Sequence, residues 1–217
     1  MHRRAAEILR DYGPFPEIDQ VHGVSFDGHL VWFASGARLN ALDPDSGELL
    51  RAIAVPAAAG TAFDGRYLYQ IAEGLIRKID PTSGQVLGSI RLPGEGGYSG
   101  MAWAEGSLWV GQYRNRRIHR IDPETGTVLR TIETQRVVTG VTWVEGELWH
   151  GSWEGEESAL LRLDPRTGEA LECLDLPPGM GVSGLEADAG GRFFYGGGSS
   201  GRLRAVRRPA GRKAGKG

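Results

Sequence analysis

The sequence predicts an all-β fold, a five-bladed β-propeller of four-stranded blades, and three observations lead there. One string recurs, as NALDPDSG at 40–47, RKIDPTSG at 77–84, HRIDPETG at 119–126 and LRLDPRTG at 161–168. Aligning on those copies brings whole units into register, beginning near Gly23, Gly60, Gly100, Gly140 and Gly184, at spacings of 37, 40, 40 and 44 residues. Units of about 40 residues, rich in Trp and Gly and without a 3.6-residue period, are propeller blades and not helical repeats.

Each unit divides into four short strands. The first starts at the leading Gly and ends in a tight turn at Asp27-Gly28, Asp64-Gly65, Glu105-Gly106, Glu145-Gly146 or Gly190-Gly191. Such pairs supply the positive φ that a two-residue hairpin needs. The aromatic second strand, as in LVWFA (30–34) and SLWVG (107–111), is apolar on both faces, which suits a blade sandwiched between neighbours. The third strand runs into the repeated turn. There Asp43, Asp80, Asp122 and Asp164 can cap the backbone, the proline fixes φ, and Gly47, Gly84, Gly126 and Gly168 take the left-handed position. The repeated string is a connector to the fourth strand and carries no chemistry.

The fifth unit stops at GRLRAVRRP with neither that turn nor a fourth strand, whereas AEILRDYGPFP at 6–16 resembles the fourth strands ELLRAIAVP (48–56) and QVLGSIRLP (85–93). The N-terminal strand is therefore expected to complete blade five and close the ring, leaving no long inner edge unpaired. One domain would span 1–208, followed by a disordered basic tail at 209–217.

Composition narrows the function. The chain has 217 residues, 24% charged and 40% hydrophobic, with no apolar run long enough to cross a bilayer. MHRRAAEILRDYG lacks the apolar stretch of a secretory signal, and Cys173, the only cysteine, allows no internal disulfide, so a cytoplasmic location is expected, and five closed blades need no oligomer for stability, so a monomer is expected. Seven basic and no acidic residues lie between Arg202 and Gly217, which leaves the rest of the chain at a formal −9. An acidic body argues against a nucleic-acid-binding face on the folded domain.

The repeats provide an internal reference for a site: a polar side chain that breaks its column stands out. Before each leading Gly come His22, Ala59, Ser99, Thr139 and Ser183, with His22 the outlier. Two residues after it come Ser25, Ala62, Ala102, Thr142 and Glu186, and a carboxylate on an innermost strand needs a partner. In the second strand Phe33, Gln70, Val110, His150 and Tyr195 correspond, so Gln70 and His150 interrupt a hydrophobic column. These positions are expected at the upper channel mouth as a ring of His22, Gln70, His150, Glu186 and Tyr195. There His150, Glu186 and His22 would be catalytic, with Gln70 and Tyr195 binding substrate. An imidazole beside a carboxylate moves protons near neutral pH, and His22, His150 and Glu186 could instead hold a divalent metal. The loops QYRNRR (112–117) and GSWEGEES (151–158) bring Tyr113 and Trp153 as substrate-binding walls, or else pair their charges between blades.

Those strings also carry a resemblance. The chain resembles the plant and bacterial type of glutaminyl cyclotransferase, a five-bladed propeller: LVWFASG (30–36) matches an LYESTG-like string, LYQIAEG (68–74) an LYQLTW string, and LWVGQYRNRRIHRIDPETGTVL (108–129) a strand followed by IxxIDPxTGxV. The Glu of ESTG falls on Phe33 and that of the family's FGEG string on Ala59, while Gln70 keeps a polar family position. A looser similarity, through GxxxxxxGxLWF repeats, is to the streptogramin B lyase group, whose chemistry is proton abstraction by a histidine with a divalent metal near a glutamate. The resemblance implies lyase or cyclotransferase-type acid–base chemistry on a small molecule or peptide terminus. The alternatives are a non-catalytic propeller that binds a ligand or protein on the same face, and a domain once fused to something larger.

Overall fold

The computed structural model describes residues 1–94 and 96–210. Two strands, β1 (His2–Ala5) and β2 (Ile8–Tyr12), precede the first unit. Blade one is β3 (Val24–Phe26), β4 (Val31–Ala34), β5 (Gly36–Leu42) and β6 (Leu49–Ala57); blade two is β7 (Thr61–Phe63), β8 (Leu68–Ala72), β9 (Leu75–Ile79) and β10 (Val86–Arg91). Blade three is β11 (Tyr98–Ala104), β12 (Ser107–Gln112), β13 (Arg117–Ile121) and β14 (Val128–Glu133); blade four is β15 (Gly140–Val144), β16 (Glu147–Glu154), β17 (Glu157–Leu163) and β18 (Ala170–Asp175). Blade five takes β19 (Gly184–Ala187), β20 (Arg192–Gly196) and β21 (Leu203–Arg207) from the end of the repeats and β2 from their beginning. The all-β, five-bladed propeller expected from the repeats is the fold observed.

Ring closure has two stitches. Strand β2 pairs antiparallel with β21, Ile8 opposite Val206 and Tyr12 opposite Leu203. One step earlier, β1 crosses to the neighbouring sheet and runs parallel to β18, His2 opposite Glu172 and Ala5 opposite Asp175, which makes blade four five-stranded. Salt bridges Arg3–Asp175 and Arg4–Glu172 reinforce that fifth strand. The expected basic tail lies outside the described residues from 211 onward.

The repeated turns do what their residues allow. Asp122 Oδ1 accepts from the backbone N–H groups of Glu124 and Thr125 at 2.9 and 2.8 Å, and Asp43, Asp80 and Asp164 bond their own turns in the same way. These bonds to the ionised form hold all four carboxyls below the usual aspartate range. Gly47, Gly84, Gly126 and Gly168 sit at φ between 75° and 85° and donate to the Asp carbonyl.

The leading glycines serve a different need. Inner strands pack in sequence, β3 on β7, β7 on β11, β11 on β15, β15 on β19 and β19 back on β3. At their upper ends Gly23, Gly60, Gly100, Gly140 and Gly184 touch around the axis. A methyl on Gly100 would stand 2.5 Å from the Cα of Gly140, and one on Gly140 would stand 2.6 Å from the carbonyl carbon of Gly184. On Gly23 or Gly184 it would collide with the carbonyl oxygen of Ala59 or His22. Only a residue without Cβ permits this approach, which pinches the channel.

Below the ring, blades lock through aromatic pairs. Phe26 stacks on Phe194, Trp103 on Tyr69, and Trp143 packs against Trp109, each pair joining consecutive blades at 4.7–6.0 Å between centroids. Blade five has Ala187 where the others have Phe or Trp. Its cross-strand neighbour Phe193 supplies the missing volume by packing on Trp149 at 5.0 Å.

Candidate functional site

A cavity of about 370 Å³ opens above the glycine ring. All five residues that precede a leading glycine line it: His22, Ala59, Ser99, Thr139 and Ser183. Sequence reasoning set out this column and chose only His22, although its members share one rotational position and so share one mouth. Tyr98, Tyr113 and Trp153 form aromatic walls. Trp153 lies over Gly181 and Gly198, and its carbonyl accepts from the Tyr113 hydroxyl at 3.4 Å, which ties the walls of blades three and four together. Arg116 pairs with Glu154 at 3.1 Å, so these loop charges neutralise each other between blades.

The mouth is neutral in character. Among its described lining residues there is no carboxylate and no Lys or Arg. The Ser99 hydroxyl donates to the Val138 carbonyl of the next blade at 2.5 Å, and that of Ser183 donates to the Val21 carbonyl. With both protons spent, the Ser99 oxygen can offer lone pairs to a donor, and the Ser183 oxygen, which already accepts from the Gly198 N–H at 3.0 Å, has one left to offer. His22 is half-buried, and desolvation lowers its pKa below the ordinary imidazole value, so it is neutral at pH 7. Its Nε2 lies 2.9 Å from Gln20 Oε1. A carbonyl partner there assigns the proton to Nε2 and leaves the Nδ1 lone pair free as a base.

Other candidates lie elsewhere, and strand geometry gives the reason. Gln70, His150 and Tyr195 are cross-strand neighbours of Thr61, Val141 and Leu185, on the face pressed between blades. Each is at most 1% exposed, so the expected position at the mouth is corrected: none of the three lines it. Gln70 accepts from Thr61 and donates to the Ala59 and Ile71 carbonyls. Tyr195 points its hydroxyl at the Met180 sulfur, and burial raises its pKa to about 12. His150 donates from Nδ1 to the Gly151 carbonyl at 3.0 Å, and burial lowers its pKa to about 4.

Glu186 occupies the channel on the far side of the glycine ring. It accepts from Thr142 Oγ1 at 2.5 Å, from the Ala187 N–H at 2.9 Å and from Ser25 Oγ at 3.3 Å. Desolvation outweighs these bonds and raises its pKa to about 7. Three residue positions along adjoining strands separate it from His22, roughly 10 Å of strand rise. The expected convergence of His22, His150 and Glu186 is therefore not formed. Among the described residues no group of three or more His, Cys, Asp or Glu could hold a metal ion, so these side chains do not make the expected metal set.

The comparisons with known proteins agree on architecture. A family profile described as outer membrane protein assembly factor BamB matches residues 72–216. No curated protein sequence matches the chain. Among solved structures, Myxococcus xanthus glutaminyl cyclase superposes with a TM-score of 0.79 at 21% identity, over 95% of this chain and 97% of that one. The WD40 β-propeller domain of Doa1 gives 0.53 at 16% identity over 86% and 63%. Hydrazine synthase of Kuenenia stuttgartiensis gives 0.51 at 16% identity over 82% and 56%. At these identities the likeness speaks for the fold. Among the described residues no helix is long and apolar enough to cross a membrane.

Proposed function

The chain belongs to the family described as outer membrane protein assembly factor BamB, and we propose that its working surface is the upper mouth of the ring, where it carries out cyclotransferase-type chemistry on a peptide amino terminus or a similar small amide. The observation that carries this reading is His22, a neutral imidazole on an uncharged cavity with aromatic walls at the propeller axis. The full-length likeness to a glutaminyl cyclase supports it.

In such a reaction an amine nitrogen attacks the carbonyl carbon of a side-chain amide. The new C–N bond closes a lactam while the old one breaks and ammonia leaves. Proton transfer is the difficulty, because the attacking amine must lose a proton and the departing nitrogen must gain one. The Nδ1 of His22 would accept the first proton and return it to the leaving group. The Ser99 and Ser183 oxygens, already donating elsewhere, would receive the N–H bonds of the substrate amine. Tyr98, Tyr113 and Trp153 would cover its apolar part and exclude water.

The test is incubation with peptides that begin with glutamine, followed by mass spectrometry for loss of one ammonia. Wild-type turnover with a loss of roughly 100-fold or more in His22→Ala supports the reading. An inert wild type defeats it. A second reading, a propeller that binds without catalysis, is favoured by Phe33 and Ala59 at the positions where the resembling family has glutamates, and by the lack of a carboxylate among the described residues at the mouth. It expects peptides to quench Trp153 fluorescence without being altered.

A further inference from the structure

Rotational symmetry exposes a second site, remote from the mouth. Four blades carry the Asp-Pro turn, and in three cases the preceding blade sends an arginine from its fourth strand onto it. Arg10 of β2 donates to the Asp45 carbonyl at 2.6 Å, Arg51 of β6 to the Thr82 carbonyl at 3.0 Å, and Arg130 of β14 to the Arg166 carbonyl at 2.8 Å. In every case the acceptor is the third residue of the turn, and Arg51 and Arg130 each stand four positions after the turn glycine of their own blade. In two of the three the guanidinium also lies over an aromatic ring, Arg51 over Trp32 at 5.6 Å and Arg10 over Tyr12 at 4.9 Å, whereas in blade three it is Arg120 that stands over Trp109, at 5.7 Å.

The fourth turn, in blade three, has no such partner. The residue that should reach it is Gly88 of β10, and among the described residues no side chain bonds the Glu124 carbonyl. A cavity of about 340 Å³ stands in that place, lined by Tyr67, Tyr69, Lys78, Gly88, Pro123 and Glu124. Tyr69 occupies the repeat position of Trp32. The turn carbonyl that holds a guanidinium in all three other cases is therefore present without one, beside an aromatic ring like that under Arg51.

We propose that this notch between blades two and three binds a guanidinium group, as carried by an arginine side chain. Lys78 does not bar it. In blade three Arg120 occupies the same third-strand position and faces Arg130 across the ladder, so a cation there coexists with a seated guanidinium. Lys78 itself reaches Glu124 at 3.7 Å and stands between the Tyr67 and Tyr69 rings, 4.8 and 5.8 Å from their centroids, so an arriving guanidinium would share the Tyr69 face with it. Planar donors can pair with a carbonyl and stack on a ring at once, which an ammonium does less well.

The test uses the full chain and two probes, N-acetyl-arginine amide and an extended peptide with one central arginine, each against its lysine counterpart, followed by amide chemical shifts. Saturable shifts around Gly88 and Glu124 are expected with the arginine probes, on the order of 1 mM for the small one, and at least about tenfold weaker with lysine. A peptide that binds much more tightly than the small probe identifies a protein segment as the source, and equal affinities identify a small guanidinium compound. Nothing stands within 4 Å of a Cβ built on Gly88, so Gly88→Arg can seat its own guanidinium. It should abolish binding and melt roughly 2–4 °C above Gly88→Lys. Absence of binding by both arginine probes, binding unchanged in Gly88→Arg, or equal melting of the two variants overturns the proposal.

Discussion

The hydroxyl of Thr142 in blade four donates to the carboxyl of Glu186 in blade five at 2.5 Å, and this bond is too little to keep the acid ionised against its desolvation. Its pKa is raised from 4.5 to about 7. The folded state therefore holds the proton more tightly than the unfolded chain. Stability from this group is full below about pH 4.5 and is lost as the pH climbs through 7. Glu186→Gln keeps the shape without the charge, and urea unfolding at pH 8 should show it more stable than wild type by up to roughly 3 kcal/mol. Should the mouth prove catalytic, this variant is expected to retain that activity.

His150 works in the opposite direction. Its pKa falls from 6.5 to about 4, so the unfolded chain takes the extra proton. Stability from His150 is full above pH 6.5 and declines as the pH drops to about 4. Across the shared interval Glu186 opposes His150, while His22 and His119, whose pKa values desolvation also lowers, act with His150, so the wild type should lose stability on acidification only gently. Glu186→Gln removes the opposing side and should steepen that fall. His150→Val should make the fall on acidification shallower than in the wild type and also cost about 1–3 kcal/mol at pH 7 for lost packing and hydrogen bonding. Unfolding free energies measured at half-unit steps from pH 4.5 to 8 read both slopes.

The glycine ring tolerates no side chain. Gly140→Ala puts a methyl 2.6 Å from the backbone of Gly184, and rigid neighbours on both sides prevent relaxation. A loss of more than about 3 kcal/mol is expected. Gly96→Ala, where nothing lies within 4 Å, is the matched control and should melt close to wild type.

The two N-terminal strands should separate in effect. Removal of residues 1–5 strips β1 from an outer edge, and a folded ring with a lower melting temperature is expected. Removal through residue 12 also takes β2, leaves β21 without its partner and uncovers the cluster that Tyr12 helps to fill. Circular dichroism and size-exclusion chromatography should then report an unfolded or aggregated chain.

Blade number, strand order and the swapped closing strand were legible because they rest on local chemistry repeated along the chain. Asp122 with Pro123 and Gly126 writes a turn wherever it occurs, and a missing fourth strand must be found somewhere. Side-chain direction was harder. His22 and Trp153 were placed at a channel mouth from the repeat register and from a loop, and they line the cavity there. Gln70, His150 and Tyr195 were placed there by column alone, although alternation along a strand turns that column into the blade interface. The fifth strand of blade four left no mark, since HRRA has the composition of any exposed segment and acquires its meaning only from Glu172 and Asp175. The Gly88 vacancy was written in the alignment, but what a missing arginine signifies depends on where the other three reach.

Because residues 8–12 belong to the same sheet as residues 203–207, the first of these two segments to leave the ribosome has no home until the second follows it. Between the two events the growing ring is an arc with a loose strand and a strand-hungry sheet still to come. Proteins of this construction are exposed during manufacture to pairing with the wrong neighbour, a second nascent copy above all, and their yield depends on how quickly the two ends meet.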